Sequence, residues 1–133
     1  MLSPALEDYL EAILELEPPV RVSAIARRLR VAKASVTQAV QRLVEKGLAV
    51  SPRYGRVELT ARGLAAARKI RRRHRIWLEF LEEILGVPHA TANREACVLE
   101  HGLSPETTAR LTSYVAGLKK TRRPRKRGAT SGG

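Results

Sequence analysis

The stretch that decides the fold is residues 22–59, which read VSAIARRLRVAKASVTQAVQRLVEKGLAVSPRYGRVEL. Up to Gly47 the apolar residues recur at helical spacing, first over residues 22–29 and then, after a short break, over residues 35–46. Beyond Gly47, residues 48–50 and 56–59 indicate two short strands joined by turn residues. Helix, short turn, helix and hairpin is the order of a winged helix-turn-helix, whose second helix enters the DNA major groove.

The outward side of the second helix carries hydrogen-bonding and basic side chains that suit base edges and phosphates. Gln38 fits a bidentate contact with adenine, and Arg42, one turn later, fits guanine or a phosphate. Side chains of the hairpin would hold the DNA backbone beside the groove. The predicted DNA-contacting residues are Ser23, Lys33, Ser35, Thr37, Gln38, Gln41, Arg42, Arg53, Tyr54 and Arg56. A solvated polar helix in a small bundle is the alternative, and it leaves the hairpin and the small-residue turn unexplained.

Further helices are predicted on both sides of this stretch. They run from Ser3-Pro4 to Pro18-Pro19, from Thr60 to about Leu85, from about Ala90 to His101, and from Ser104-Pro105 to about Leu118. Ser and Thr at these starts are helix-capping residues, and Pro follows two of them at the first helical position. The fold class is therefore mainly α. We expect a winged helix-turn-helix DNA-binding domain at residues 1–62, an α-helical dimerisation and metal-binding domain at 63–118, and a disordered basic tail at 119–133.

Charge points to a polyanionic partner. The formal net charge is +12, and it falls to about +5 without the tail, which holds seven basic residues and no acidic one. Such a balance attracts nucleic acid or an anionic membrane surface. No apolar run approaches the roughly 18 to 20 residues that span a bilayer, and the acidic start does not resemble a signal peptide. A single cysteine excludes an internal disulfide. We therefore expect a cytoplasmic protein with no membrane partner.

Two helices carry residues that transition metals bind. Asp8 and Glu11 lie three residues apart in the first helix, and hence on one face. Cys97, Glu100 and His101 stand at i, i+3 and i+4, so thiolate, carboxylate and imidazole project together.

His74 interrupts the apolar stripe of the long helix, where a buried imidazole needs partners for both nitrogens. Each feature alone has a simpler explanation: a solvated acidic face, a hydrogen-bonded core histidine, or a small buried cysteine. One shared metal site explains all of them together.

The sequence resembles the diphtheria-toxin-repressor family of metalloregulators, including the manganese transport regulators. The likeness covers roughly residues 4–118. It depends on the segments LEDYLEAILEL, VSAIARRLRVAKASVTQAVQRLVEKGLAV, LTARGLAAARKIRRRHR and EACVLEHGLS, of which the last is the most specific.

The resemblance implies metal ligands at Asp8, Glu11, His74, Cys97, Glu100 and His101. Glu11 and His74 match ligands of manganese-type members, whereas Cys97, Glu100 and His101 match the trio of iron-type members. Asp8 together with Cys97 thus mixes the two types. Leu78 and Asn93 stand where an ancillary site of iron-type members would have a carboxylate and an imidazole. We expect a short member without the SH3-like domain of longer ones.

The resemblance also implies a function. We expect a homodimer that binds a palindromic double-stranded DNA operator and represses metal-uptake genes when loaded with metal. Carboxylates suit Mn²⁺ and Fe²⁺, while a thiolate with imidazoles shifts preference towards Fe²⁺, Co²⁺ or Zn²⁺. Fe²⁺ or Mn²⁺ is the expected cofactor, with Zn²⁺ and Co²⁺ as alternatives. Trp77, Leu78, Leu81 and the last helix would provide the apolar dimer surface.

Two other classes of protein compete with this hypothesis. One is a metal-independent winged-helix regulator, similar to the multiple-antibiotic-resistance regulators, that responds to a small organic ligand. The other is a small metal-dependent hydrolase, but no HExxH-like or nucleophile–base arrangement is present. We therefore expect neither enzymatic activity nor a small organic substrate.

Overall fold

The structure is a computed structural model that describes residues 2–52 and 55–132, with side chains described as far as Lys119. The chain divides into two compact units, one ending at Arg71 and one beginning at Arg72. In chain order the elements are α1 (Pro4–Glu15), β1 (Val20–Arg21), α2 (Val22–Leu29), α3 (Lys33–Glu45), β2 (Ala49–Val50), β3 (Arg56–Leu59), α4 (Ala61–Glu79), a π-helical turn (Phe80–Ile84), α5 (His89–Gly102) and α6 (Pro105–Gly132). The fold is mainly helical, as predicted.

The first unit is built around the apolar faces of its helices. Leu10 of α1, Ile25 of α2, and Val36 and Leu43 of α3 are completely buried in one cluster. The hydroxyl of Ser3 accepts a hydrogen bond from the backbone N–H of Leu6 at 3.2 Å, which caps α1 as the sequence predicted. α1 and α3 therefore pack against each other in one core.

A three-stranded antiparallel sheet in the order β1-β3-β2 forms the wing. The register pairs Val20 with Val57 and Ala49 with Leu59. The sequence predicted β2 and β3 but not β1. Two residues are too short for an alternating pattern, and the partner strand of β1 lies far along the chain.

The start of α4 is locked to the first unit by polar contacts and by a close backbone approach. The hydroxyl of Thr60 accepts from the N–H of Gly63 at 3.0 Å and donates to the carbonyl of Gly47 at 2.7 Å. A Cβ at Gly63 would lie 1.8 Å from the carbonyl oxygen of Leu48, so this position requires glycine.

The second unit has its own apolar cluster. Its buried members are Trp77, Leu81, Ala92 and Ala96, and Leu78 packs against them. The expectation that Trp77 and Leu81 form a dimer surface is therefore wrong, because both are buried within the protomer by α5. The strongly exposed apolar residues of this unit are instead Leu85, Val98, Leu103 and Tyr114.

α2 covers residues 22–29 as expected and begins without a side-chain cap, so Ser23 lies inside its first turn. The two compact units meet within α4, between Arg71 and Arg72. α6 extends to Gly132, beyond the predicted end of the last helix near Leu118. Lysine and arginine are good helix formers, so a basic composition does not by itself end a helix. No helix in the described part of the chain is both long and apolar enough to cross a bilayer.

Candidate metal centre and nucleic-acid interface

α3 presents a polar face opposite its buried one. Val36 and Leu43 point into the core, while the other face carries no acidic residue before Glu45. The predicted contact residues Lys33, Ser35, Thr37, Gln38, Gln41 and Arg42 are all exposed. The Thr37 hydroxyl donates to the carbonyl of Lys33 at 3.0 Å, which fixes that side chain along the helix. The exposed face has the hydrogen-bonding groups and the positive charge of a DNA-reading helix.

The wing is held against the start of α2. The N–H of Val22 donates to the carbonyl of Gly55 at 2.7 Å, and the Ser51 hydroxyl donates to the carbonyl of Arg56 at 2.9 Å. Arg56 is exposed and Ser23 is half-buried. The predicted contact residues Arg53 and Tyr54 lie outside the described residues.

The acidic pair of α1 lies beside its buried face. Asp8 and Glu11 are both half-buried, next to the buried Tyr9 and Leu10. Burial raises the pKa of the Tyr9 phenol above its ordinary value, so this ring packs as a neutral group. The two carboxylates are thus part of an element whose other side is fixed in the core.

α5 brings together the predicted thiolate and imidazole. A nitrogen of the His101 ring and the sulfur of Cys97 lie within 4.8 Å of each other, and both residues are half-buried. Glu100, between them on the same face, is only 2% exposed. Soft and hard donors at this separation fit a first-row transition metal.

The carboxylate of Glu100 is buried, and only one of its two oxygens has a hydrogen-bond partner among the described residues. Its Oε1 lies 2.9 Å from Nδ1 of His74. Its Oε2 has no hydrogen-bond partner among the described residues, and a terminal nitrogen of Arg73 lies 3.9 Å away. A buried carboxylate oxygen without a hydrogen bond is costly, and a cation would satisfy it. This orphaned oxygen is the structural feature that fits a bound metal.

His74 has an oxygen at each ring nitrogen. Besides the contact with Glu100, its Nε2 lies 3.0 Å from Oδ1 of Asn93. The structure therefore joins Asn93, His74 and Glu100 in one chain of contacts, all within the second unit.

Sequence reasoning did not single out Arg73. Its side chain is only 21% exposed, and a terminal nitrogen lies 3.9 Å from Oε2 of Glu100. A signal was present in the spacing: Arg73 stands three residues after the buried Ile70 and four before the buried Trp77, and hence on the apolar stripe.

The first unit has the fold of a winged helix-turn-helix, and the second has a set of transition-metal donors on one helix. These features define the class: DNA-binding proteins that carry a metal-binding domain. Residues 1–57 match the N-terminal DNA binding domain of the iron dependent repressors, and residues 60–126 match their metal binding and dimerisation domain. The chain belongs to the iron-dependent repressor family, whose members are transcriptional regulators.

Known relatives agree with this assignment. An HTH-type transcriptional regulator of Methanocaldococcus jannaschii is 34% identical over 122 residues, which are 89% of this chain and 98% of the relative. The iron-dependent repressor of Mycobacterium leprae is 35% identical over 113 residues, or 82% of this chain and 49% of the relative. A manganese-dependent transcriptional repressor solved with manganese superposes with a TM-score of 0.74 at 31% identity, covering 84% of this chain and 53% of the other. The chain thus spans nearly all of the first relative and about half of the other two.

Proposed function

We propose that this chain is a metal-dependent transcriptional repressor that binds a palindromic operator as a homodimer and controls metal-uptake genes. Membership of the iron-dependent repressor family supports the general activity. The buried Oε2 of Glu100, which has no hydrogen-bond partner among the described residues and stands on the same helix as the neighbouring Cys97 and His101, is the single observation that carries the metal dependence.

The proposed ligands are Asp8, Glu11, His74, Cys97, Glu100 and His101, of which His74 and Glu100 are in contact with each other. A bound divalent ion would supply the positive charge that lets several carboxylates and a thiolate share one place. Asp8 and Glu11 belong to α1, whereas Cys97, Glu100 and His101 belong to α5. Ligands from both helices would therefore couple the DNA-reading unit to the unit that carries the dimerisation domain.

The packing of the first unit supports a route from these ligands to DNA. Leu10 of α1 shares the buried cluster with Val36 and Leu43 of α3. When α1 is held through Asp8 and Glu11, α3 is held with it. Two α3 helices in a homodimer would then be set at the separation of two operator half-sites.

The exposed apolar side chains of the second unit support a homodimer. Leu85 is 58% exposed and Val98 is 71% exposed. Leu103, just after α5, and Tyr114 of α6 are also exposed. The match to a dimerisation domain makes a second copy of the chain the partner that would cover these side chains.

We propose Fe²⁺ or Mn²⁺ as the activating ion, with Zn²⁺ and Co²⁺ as competitors. The carboxylates favour Mn²⁺ and Fe²⁺, and the half-buried thiolate of Cys97 draws the preference towards iron, cobalt and zinc. Among the relatives, one is named an iron-dependent repressor and another was solved with manganese.

The test begins with duplexes selected from a randomised inverted-repeat library by the full chain loaded anaerobically with Fe²⁺ or Mn²⁺. Glu100→Ala and Glu100→Gln should bind these duplexes no better with metal than without it, because Ala removes the carboxylate and Gln replaces it with a neutral amide, which is a much weaker metal ligand. Circular dichroism should show that Glu100→Gln remains folded. The control is Glu95→Gln, an exposed position on the same helix, which should respond to metal like the parent chain. Metal-stimulated DNA binding by both Glu100 variants would contradict the proposed site.

One observation favours the alternative regulator of small organic ligands. A cavity of about 460 Å³ in the first unit is lined by Ile13, Leu14, Leu16, Pro18, Pro19, Val20, Arg56, Val57, Glu58, Leu59 and Leu64. Its volume and mostly apolar walls are within the range of small-molecule sites. Thermal melts separate the two proposals: stabilisation by Fe²⁺, Mn²⁺ or Zn²⁺ supports the metal-dependent repressor, and the absence of any stabilisation favours the organic ligand.

A further inference from the structure

We infer that the basic segment, residues 119–127, binds the phosphates of double-stranded DNA without reading the base sequence. The segment reads KKTRRPRKR and contains seven of the chain's 25 lysines and arginines. The inference goes beyond the proposed function, because this contact needs neither a bound metal nor an operator.

The basic segment continues α6 past the core of the second unit. Among the side chains that the structure describes, Val115 is the last buried one in α6. Nζ of Lys119 forms an ion pair with Oε2 of Glu79, the last residue of α4. This ion pair attaches the start of the basic segment to the second unit, and six further basic residues follow it in the sequence.

The spacing of charge along the basic segment suits a DNA duplex. The backbone is helical here, and an α-helix rises about 1.5 Å per residue, so residues 120–127 span about 12 Å. Their six positive charges give about one charge per 2 Å, and duplex DNA has one negative charge per roughly 1.7 Å of its axis. Lysines and arginines that neutralise phosphates release condensed counterions, which gives an affinity that does not depend on sequence.

The composition of residues 119–133 favours phosphates over bases and over a membrane. The stretch has no Asn or Gln to pair with adenine and no aromatic side chain on which a base could stack. It also has no large apolar side chain that could insert among lipid chains. The DNA backbone is therefore the partner, in agreement with the match of residues 1–57 to a DNA binding domain.

The experiment measures how salt weakens the binding of the full chain to a random-sequence duplex in the absence of metal, by fluorescence anisotropy. A sixfold variant removes the charges but keeps a similar helix propensity; it combines Lys120→Gln, Arg122→Gln, Arg123→Gln, Arg125→Gln, Lys126→Gln and Arg127→Gln. The slope of log affinity against log salt concentration should be shallower by about two to five in this variant, since each phosphate contact contributes about 0.9. Thermal melts of the variant and the parent chain should agree, because the substitutions lie beyond the buried part of α6.

The matched control is Arg110→Gln, which removes one charge from an earlier part of α6. Arg110 is exposed and forms an ion pair with Glu106 at 3.0 Å, and its replacement should leave the slope unchanged. A change of less than one in the sixfold variant overturns the inference. A change of about one in Arg110→Gln also overturns it, because the salt effect would then follow the net charge of the chain. Binding to phosphatidylserine vesicles that the sixfold variant loses, with an unchanged DNA slope, would assign the segment to a membrane surface instead.

The selected operator separates this inference from the proposed function. With metal present, the sixfold variant should lose affinity by the same factor on the operator and on the random-sequence duplex. A loss confined to the operator would overturn the inference, because the segment would then read bases. A parent chain that binds both duplexes equally well would contradict the proposed function, whereas the salt comparison on the random-sequence duplex would still decide the role of the basic segment.

Discussion

Arg73 shows what individual residues in the sequence reveal and what they hide. The i, i+3, i+4 spacing of Cys97, Glu100 and His101 was enough to predict that their side chains share one face of a helix. Spacing along one helix could not show that Glu100 is buried or that Arg73 and His74 lie beside its carboxylate. Those contacts join α4 to α5, and they depend on how two helices pack, which a local pattern does not encode.

Gly63 gives a prediction at the scale of one residue. Gly63→Ala should destabilise the fold by about 1–3 kcal/mol, because the added methyl group meets the backbone of Leu48, which cannot rotate away as a side chain would. The measurement is the free energy of unfolding from urea denaturation.

The control is a glycine-to-alanine substitution at a position where the added methyl group has no neighbour. A Cβ at Gly117, inside α6, meets nothing within 4 Å. Gly117→Ala should therefore stabilise the chain by about 0.5–1 kcal/mol through the higher helix propensity of alanine. An unchanged free energy of unfolding in Gly63→Ala would show that Leu48 and α4 do not approach each other this closely.

At the scale of elements, local signals predicted the helices well and the strands only in part. The capping residues Ser3, Thr60 and Ser104 each accept a hydrogen bond from a backbone N–H in the first turn of their helix. Such caps are local and can be read from a few neighbouring residues. By contrast, β1 exists only because β3 pairs with it. The π-helical turn at Phe80–Ile84 has no marker in the sequence that would separate it from the end of α4.

α3 is the element on which DNA sequence specificity is expected to depend. Gln38 is exposed in its first half. Gln38→Ala should therefore lose about 1–3 kcal/mol of discrimination at one base pair of the selected operator, as expected when a bidentate base contact is removed. The measurement is fluorescence anisotropy with the operator and with duplexes carrying single substitutions.

The distribution of the affinity loss over the tested duplexes shows what Gln38 contacts. A uniform loss of affinity over all duplexes would mean that Gln38 contacts a phosphate, and no loss would remove it from the interface. Glu45→Ala, exposed at the end of the same helix and outside the predicted contacts, should leave the sequence preference unchanged.

At the scale of the whole molecule, the proposed function couples metal binding to DNA binding. The first unit contains α1 and the reading helix α3, and the second contains the Cys97, Glu100 and His101 donors on α5. The sequence predicted a DNA-binding part followed by a metal-binding and dimerisation part, and the family match has the same order. Under the proposed function, linkage requires that metal and operator strengthen each other's binding by the same factor.

The metal affinity of the homodimer, measured with and without operator, tests this coupling most directly. Titration of Mn²⁺ against a fluorescent chelator, in the presence and absence of saturating operator duplex, gives the two dissociation constants. Mn²⁺ should bind about 5- to 150-fold more tightly when operator is bound, and no more tightly with a scrambled duplex. Equal dissociation constants in all three conditions would contradict it, because they would mean that the ion and the DNA do not act on the same conformational equilibrium.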